Sequence, residues 1–266
     1  MQIKELEQKA KWVRRQVLEM IVNAGKGHIG GSLSCVEILV ALYYTGFLNL
    51  KGEDRDIFIL SKGHACASLY AILADLGYFP IDELMTFAQE GSRLEAHPTL
   101  LVPGIEVSTG SLGHGLSIGT GIALADKMLV RKRKVVVLMS DGECHEGSVW
   151  EAAMFAAHHK LSNLIAIIDR NGLSVLDFIS RYNNIEPLAL KWKSFNWWVI
   201  PNIDGHSFDS LISALDLCSL NNEAPIIVIA NTVKGKSISF MERIPEWHHR
   251  VPNKEELEIA RRELSV

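Results

Sequence analysis

Residues 135–142 read Val-Val-Val-Leu-Met-Ser-Asp-Gly, and residues 164–172 read Leu-Ile-Ala-Ile-Ile-Asp-Arg-Asn-Gly. Each is a short apolar run that stops abruptly in polar turn residues. Such runs are too short for an ordinary helix. They are apolar at consecutive rather than alternate positions, as a strand covered on both faces must be. A helix-patterned stretch, from about Ser148 to His158, lies between them. Strand, helix, strand is the unit of a parallel sheet, because a parallel neighbour is reached only by a crossover.

Outward from this pair the pattern repeats. Asp56–Leu60, Trp197–Ile200 and Ile226–Ile229 have the same character, the last ending at Asn231-Thr232. The first of them enters the turn Ser61-Lys62-Gly63-His64, after which Ala65–Leu76 is helical in pattern. Residues 4–24 place Leu6, Ala10, Val13, Val17, Met20 and Ile21 at helical spacing, and Gly25 and Gly27 end that helix. Ser34 with Glu37 three residues on predicts a capping box, opening a helix through Tyr43. The fold class is α/β, a parallel β-sheet flanked by helices. No repeat, low-complexity tract or linker divides the chain, so residues 1–266 are expected to form one domain.

Composition narrows the function. Of the 266 residues 48% are hydrophobic and the formal net charge is −4, so the chain lacks the basic footprint of a nucleic-acid binder. Arg131-Lys132-Arg133-Lys134 is the one tight basic cluster, and its place before an apolar run suits a solvated helix end. No stretch reaches the roughly 18 apolar residues of a membrane span. The chain opens on alternating charges rather than a secretory signal. Cys35, Cys66, Cys144 and Cys218 have no metal-ligand spacing. Buried, reduced thiols in a cytoplasmic protein are expected.

The polar strand ends carry the chemistry. In a parallel α/β sheet ligands gather beyond the carboxyl ends of the strands. Ser140-Asp141-Gly142, Asn171-Gly172 and Asn231-Thr232 all fall there, although each alone is ordinary turn chemistry. Asp141 and Asn171 are separated by one helix and a returning strand, which sets them side by side at adjacent strand ends. A carboxylate, an amide oxygen and a backbone carbonyl are hard ligands that suit Mg²⁺ or Ca²⁺, with phosphate oxygens and water completing the shell. Gly142 lets a phosphate approach the backbone. The expectation is a metal-bridged diphosphate anchor.

These residues resemble a known pattern. "SDGE…EG" followed by "DRNGL" is similar to the thiamine-diphosphate motif, a Gly-Asp-Gly followed some 30 residues later by Asn. "GKGHIGGSLSCVEIL", "LSKGHACASLYAIL", "LEAHP", "STGSLGHGLSIGTGIALA" and "VKGKSISFMERIPEWHH" complete an ordered set. Together they resemble the N-terminal, diphosphate-binding domain of transketolases from end to end. The resemblance implies a thiamin diphosphate-binding fold, thiamine diphosphate with Mg²⁺ (or Ca²⁺) as cofactors, and transfer of a two-carbon ketol unit from a ketose to an aldose.

It also implies roles. Asp141 and Asn171 would bind the metal through their side chains and Leu173 through its carbonyl oxygen. Gly142 would lie against the diphosphate, with His64, Lys234 and His248 nearby, while Gly110, Leu112 and Val175 would contact the cofactor rings. His28, His64, His97 and His248 would line the funnel to the reactive carbon, His97 meeting the donor's hydroxyls. Imidazoles suit a reaction that moves protons near neutral pH. His249 competes with His248, and Arg93 and Glu95 stand beside His97 where a sugar preference would be set. Glu146 matches a buried acid near a subunit interface that joins paired active sites. His114, His145, His158, His159 and His206 are expected to be structural, and Trp197 and Trp198 to be packing residues.

The pattern also breaks. Ser140 replaces the motif's first glycine, and Ser174-Val175-Leu176-Asp177-Phe178 replaces a polar stretch beneath the cofactor. The family's full enzyme carries two more domains. One of them supplies the glutamate that protonates the aminopyrimidine. The resemblance therefore implies the N-terminal subunit of a split enzyme, with a C-terminal partner holding the pyrimidine-binding and C-terminal domains in an α₂β₂ heterotetramer. The alternatives within the chemistry are a 1-deoxyxylulose-phosphate synthase or a ketoacid dehydrogenase E1 subunit. A nucleotide-binding dehydrogenase, on Gly113-His114-Gly115 and Gly119, and a catalytically inert scaffold are the alternatives outside it.

Overall fold

Five parallel strands form one sheet: β1 (Ile57–Leu60), β2 (Val135–Ser140), β3 (Leu164–Arg170), β4 (Trp198–Asp204) and β5 (Ile226–Asn231), in spatial order β1-β2-β3-β5-β4. A computed structural model of the chain describes residues 1–175, 177–221 and 223–265. The helices are α1 (Ile3–Ala24), α2 (Ile29–Ser34), α3 (Val36–Tyr44), α4 (Cys66–Asp75), α5 (His114–Met128), α6 (Gly147–His158), α7 (Ile179–Tyr182), α8 (Leu188–Ser194), α9 (Phe208–Cys218) and α10 (Lys254–Glu263). Each expected strand is present. β3, β4 and β5 run on into the polar residues that follow the apolar runs, and β4 bulges between Ile200 and Ile203.

Alternation along the strands divides the core in two. Val136, Leu138, Ile165, Ile167 and Val228 pack with α1, α3, α4 and α9 on one face. Val135, Val137, Ala166, Ile168 and Ile227 pack with α5, α6 and α8 on the other. Both faces being covered is why the sequence shows continuous apolar runs. Trp197 is buried and donates from its indole nitrogen to the carbonyl of Ala153 at 2.9 Å, and Trp192 and Trp197 meet edge to face with centroids 4.9 Å apart. Trp197 is a packing residue, as expected, and so is Trp198, which is partly buried against the core of the opposite face. All four cysteines are buried and free.

One local expectation is corrected. Ser34 is already inside α2, and the next helix starts at Val36 after a break at Cys35, which makes no side-chain cap. Ser34 Oγ donates instead to Asp169 at 2.6 Å, and Glu37 is bound by Arg14 at 2.6 Å and His206 at 3.0 Å. Buried charges from other elements out-compete the local backbone for both side chains. A capping box does form at Asn253 and Glu256, ahead of α10, where solvent leaves the pair to each other. The basic cluster 131–134 is a helix-end feature, with Arg133 on Asp126 and Lys134 on Asp56, each at 2.7 Å.

Candidate active site

Because all five strands are parallel, their carboxyl ends open on one edge, and the turns that follow them meet there. The Asp141 carboxylate is 2% exposed. One oxygen accepts from the N–H of Gly142 at 2.9 Å and the other from the N–H of Gly172 at 2.6 Å. The turn after β2 is thereby tied to the turn after β3. Asn171 Oδ1 accepts from the N–H of Leu173 at 3.1 Å, so Asp141, Asn171 and the Leu173 backbone belong to one hydrogen-bonded corner. Burial above all, then the charge of Asp169, pushes the Asp141 pKa up to about 7 against the pull of the two N–H groups.

The histidines converge beside this corner. The ring of His28 lies 5.3 Å from His64, 5.6 Å from His97, 5.2 Å from His248 and 4.6 Å from His249, centroid to centroid. His64 and His248 are 5.3 Å apart. Residues scattered over 222 positions of sequence, from His28 on the approach to α2 to His249 after the Pro245–His248 turn, thus share one pocket. Gly110, at φ +151°, brings its backbone against His97, and a Cβ there would meet the ring at 3.0 Å. Burial, followed by the charges of neighbouring imidazoles, lowers His28 to about 4, and burial with Lys234 lowers His248 to about 3. Burial also holds His64 and His97 down.

Lys234 is buried and bridges the two halves, donating to Nδ1 of His248 at 2.9 Å and to the carbonyl of Ser174 at 3.0 Å. Burial and the charge of Lys62 bring it down to about 8. The choice between His248 and His249 follows from this: His248 faces Lys234 and His64, while His249 is exposed and touches only His28 among these rings. His206 is structural, linking Glu37 to the N–H of Val233. So is His145, whose ring nitrogens meet the carbonyls of Gly142 and Asn183.

A cavity opens between these groups, lined by Lys62, His64, Leu112, Gly142, Asn171, Leu173, Val175, Lys234 and His248 among others. Val175 is 63% exposed there. At the divergent segment, Leu173 and Phe178 form an antiparallel bridge and the Ser174 N–H donates to the Asp177 carbonyl at 3.0 Å. Leu176 lies outside the described residues.

Three buried side chains of this edge fall within the quoted motifs but have no role assigned there. Lys62 and Asp169 form a buried ion pair, and Glu143 is fully buried where it accepts from Ser61 Oγ, from Gly113 N–H at 2.9 Å and from Ser140 N–H at 3.3 Å. Glu143 staples the ends of β1 and β2 to the loop bearing Gly110 and Leu112. The Ser140 hydroxyl accepts from the Glu143 N–H at 3.2 Å, so the serine in place of glycine helps hold the staple. A charge directly abutting a buried apolar run, as in Leu60-Ser61-Lys62 or Ile168-Asp169, is the signal that points to such residues.

Glu146 is the N-cap residue of α6. In this chain it is exposed at the start of α6, and the buried acid of the turn is Glu143. Arg93 is bidentate on Glu83, at 2.6 and 2.8 Å, and so is engaged away from His97. Gly113-His114-Gly115 opens α5 after a loop rather than a strand. A dinucleotide fingerprint requires a strand before its glycines, so that alternative loses its footing.

The corner fits a divalent cation and a diphosphate. Among the described residues the buried Asp141 carboxylate is hydrogen-bonded only by backbone N–H groups, so no side chain is hydrogen-bonded to it where a cation would bind. A Cβ on Gly142 would find only ordinary contacts beyond 3.7 Å, so the protein leaves that approach open. His28 Nδ1 is buried without a hydrogen-bond partner. Among the described residues no group of three or more His, Cys, Asp or Glu is placed to bind a metal. What the corner offers instead is one carboxylate and one amide oxygen with the Leu173 backbone beside them, hard donors of the kind that would suit Mg²⁺.

Comparison with known proteins settles the family. Residues 6–265 match the model described as "Transketolase, thiamine diphosphate binding domain". The chain belongs to the transketolase family. Two of its curated relatives are each named as a subunit of an apulose-4-phosphate transketolase. The protein of Actinobacillus succinogenes is 44% identical, with 98% of this chain and 96% of the relative covered. That of Phocaeicola vulgatus is 42% identical, with 100% and 95% covered. The transketolase of Campylobacter jejuni superposes with a TM-score of 0.92 at 29% identity, over 100% of this chain but 43% of that one. This transketolase chain therefore spans nearly the whole of relatives named as subunits and about two-fifths of a solved transketolase. Its parallel sheet is that of the family.

Proposed function

We propose that the chain is the cofactor-holding subunit of a split, thiamine-diphosphate-dependent transketolase, moving a two-carbon ketol unit from a ketose phosphate to an aldose. The observation that carries the reading is the meeting of His28, His64, His97 and His248 beside the Asp141–Asn171 corner. Asp141, Asn171 and the Leu173 carbonyl would hold Mg²⁺. Gly142, His64, Lys234 and His248 would hold the diphosphate, and Gly110, Leu112 and Val175 would bear on the rings. Bound thiamine diphosphate supplies the nucleophilic carbon that takes up the two-carbon unit.

The chain's own residues do the rest. Neutral His28 and His97 can donate or accept at the sugar hydroxyls, which their depressed pKa values permit at neutral pH. The Lys234 ammonium, donating to His248 Nδ1, leaves that imidazole's proton on Nε2. Glu146, exposed here, is available to pair with a second chain. The group that activates the aminopyrimidine is expected from a partner bearing the pyrimidine-binding and C-terminal domains, in an α₂β₂ assembly. Residues 1–266 would act as one domain of it. Four buried, free cysteines fit the reducing cytoplasm, and no helix among the described residues is long and apolar enough to cross a membrane.

The relatives named for apulose 4-phosphate make that compound the first donor to test. Tagging the chain in its native host and identifying what purifies with it tests the split arrangement. Recovery of a protein homologous to the remaining transketolase domains supports it, and recovery of the chain alone in active form refutes it.

A further inference from the structure

Lys62 and Asp169 pair with no access to solvent, their side chains 1% and 0% exposed. Four segments meet on them. Lys62, in the turn after β1, also donates to the carbonyl of Gly31 at 2.9 Å and reaches Ser34 Oγ at 3.4 Å. Asp169, near the end of β3, accepts from Ser34 Oγ at 2.6 Å and from the hydroxyl of Thr232, beyond β5. Its Oδ1 also faces Nδ2 of Asn171 across a long 3.5 Å contact.

Stability alone is a poor reason for such a pair. Each buried ion costs several kcal/mol of hydration, and an apolar pair of similar volume is often as stable. The orientation of Asn171 is a better one. An amide side chain can present either its oxygen or its NH₂ in a given direction, and only the oxygen binds a cation. An ionised carboxylate only accepts hydrogen bonds, so it draws the NH₂ toward itself and leaves the oxygen on the other side. In this structure that oxygen does lie on the side of Leu173.

We propose that Lys62 and Asp169 are positioning residues of the metal–diphosphate corner. Asp169 sets the amide of Asn171 with its oxygen toward the cation. Lys62 holds the Asp169 carboxylate in place through the ion pair and ties the corner to the Gly31 segment that follows His28. The proposal rests on the assignment of Asp141 and Asn171 to a metal.

The test uses the full chain, with Mg²⁺ plus thiamine diphosphate as the titrated probe, and compares Lys62→Met, Asp169→Leu, the double substitution, Thr232→Val and Asp141→Ala. Two quantities are measured for each: the ligand-free melting temperature and the dissociation constant by calorimetry. Each single substitution at the pair should melt lower, because it strands a buried charge. The double substitution should regain much of the lost melting temperature yet bind about 10- to 100-fold more weakly, the usual effect of losing a group behind a metal ligand. Thr232→Val, which removes one buried hydrogen bond to Asp169, should melt between the wild type and the single substitutions at the pair and bind several-fold more weakly.

Affinity that returns together with stability in the double substitution overturns the proposal. If the double variant does not fold, unchanged affinity in Thr232→Val overturns it instead. The Asp141→Ala arm separates the two ideas. Wild-type affinity there refutes the metal assignment itself, whereas lost affinity there with retained affinity at the pair refutes only the positioning role.

Discussion

Lys234 donates to Nδ1 of His248 across 2.9 Å, and this one hydrogen bond joins the segment after β5 to the Pro245–His248 turn at the mouth of the site. It fixes the tautomer of His248, and the ammonium's charge, second to burial, lowers the imidazole's pKa to about 3.

Removing the ammonium should therefore release the imidazole. In Lys234→Met, His248 should titrate at higher pH than in the wild type, followed by NMR of its ring resonances, while remaining below the usual histidine value because burial persists. An unchanged titration would show that Lys234 does not act on it. The sign for stability follows. A histidine whose folded pKa is depressed contributes in full above its unfolded value near 6.5 and loses that contribution as pH falls toward the folded one.

The metal corner predicts a loss specific to ligand. Asp141→Ala should fold and melt cooperatively but gain no stability from thiamine diphosphate plus Mg²⁺. The wild type should gain about 2.7 kcal/mol when ligand reaches about 100 times its dissociation constant. Thermal shift with and without ligand measures this, and equal shifts in both proteins would remove Asp141 from the site.

The histidines should divide by function. His64→Ala and His248→Ala should weaken cofactor binding by about tenfold or more, the worth of one hydrogen bond to a charged group. His97→Ala should spare cofactor affinity and lower kcat/KM for the donor, because it is assigned to the sugar. Calorimetry for cofactor and steady-state kinetics for donor distinguish them. The division is wrong if His97→Ala loses cofactor while His64→Ala keeps it.

Glu37 is buried between Arg14 and His206. Burial alone would raise its pKa, but the Arg14 charge and the bonds from both partners outweigh burial and depress it. Its stabilisation is complete above the unfolded carboxylate value and lost as pH falls through the folded one. Glu37→Gln should flatten part of the acid limb of melting temperature against pH, and should cost about 3–5 kcal/mol at neutral pH by leaving Arg14 unpaired. A wild-type acid limb in that variant would place the acid sensitivity elsewhere.

The strands were legible because a parallel sheet covered on both faces leaves its mark as unbroken apolar runs, from Val135 and Leu164 above all. Asp141 and Asn171 were legible for a related reason: one crossover brings adjacent strand ends together, so their proximity follows from spacing. The histidines converge from distant segments, and only the family resemblance could gather them. Ser34 and Glu37 misled because a capping box is a local rule, and a buried carboxylate 135 residues away claims the serine. Glu143 and the Lys62–Asp169 pair escaped notice for the converse reason. Glu143 and Lys62 sit in turns of ordinary composition and Asp169 near the end of β3, and the importance of each comes from tertiary burial that its local sequence does not encode.

The central claim is that this chain holds the cofactor but does not by itself complete the chemistry. The most direct measurement is ketol transfer from a ketose phosphate to an aldose, assayed with saturating thiamine diphosphate and Mg²⁺, for the purified chain alone and after adding the partner recovered with it. No transfer by the chain alone, transfer on adding the partner, and loss of that transfer with Asp141→Ala in this chain are the predicted results. Full transfer by the chain on its own would contradict the account, since none of its residues is assigned to activate the aminopyrimidine.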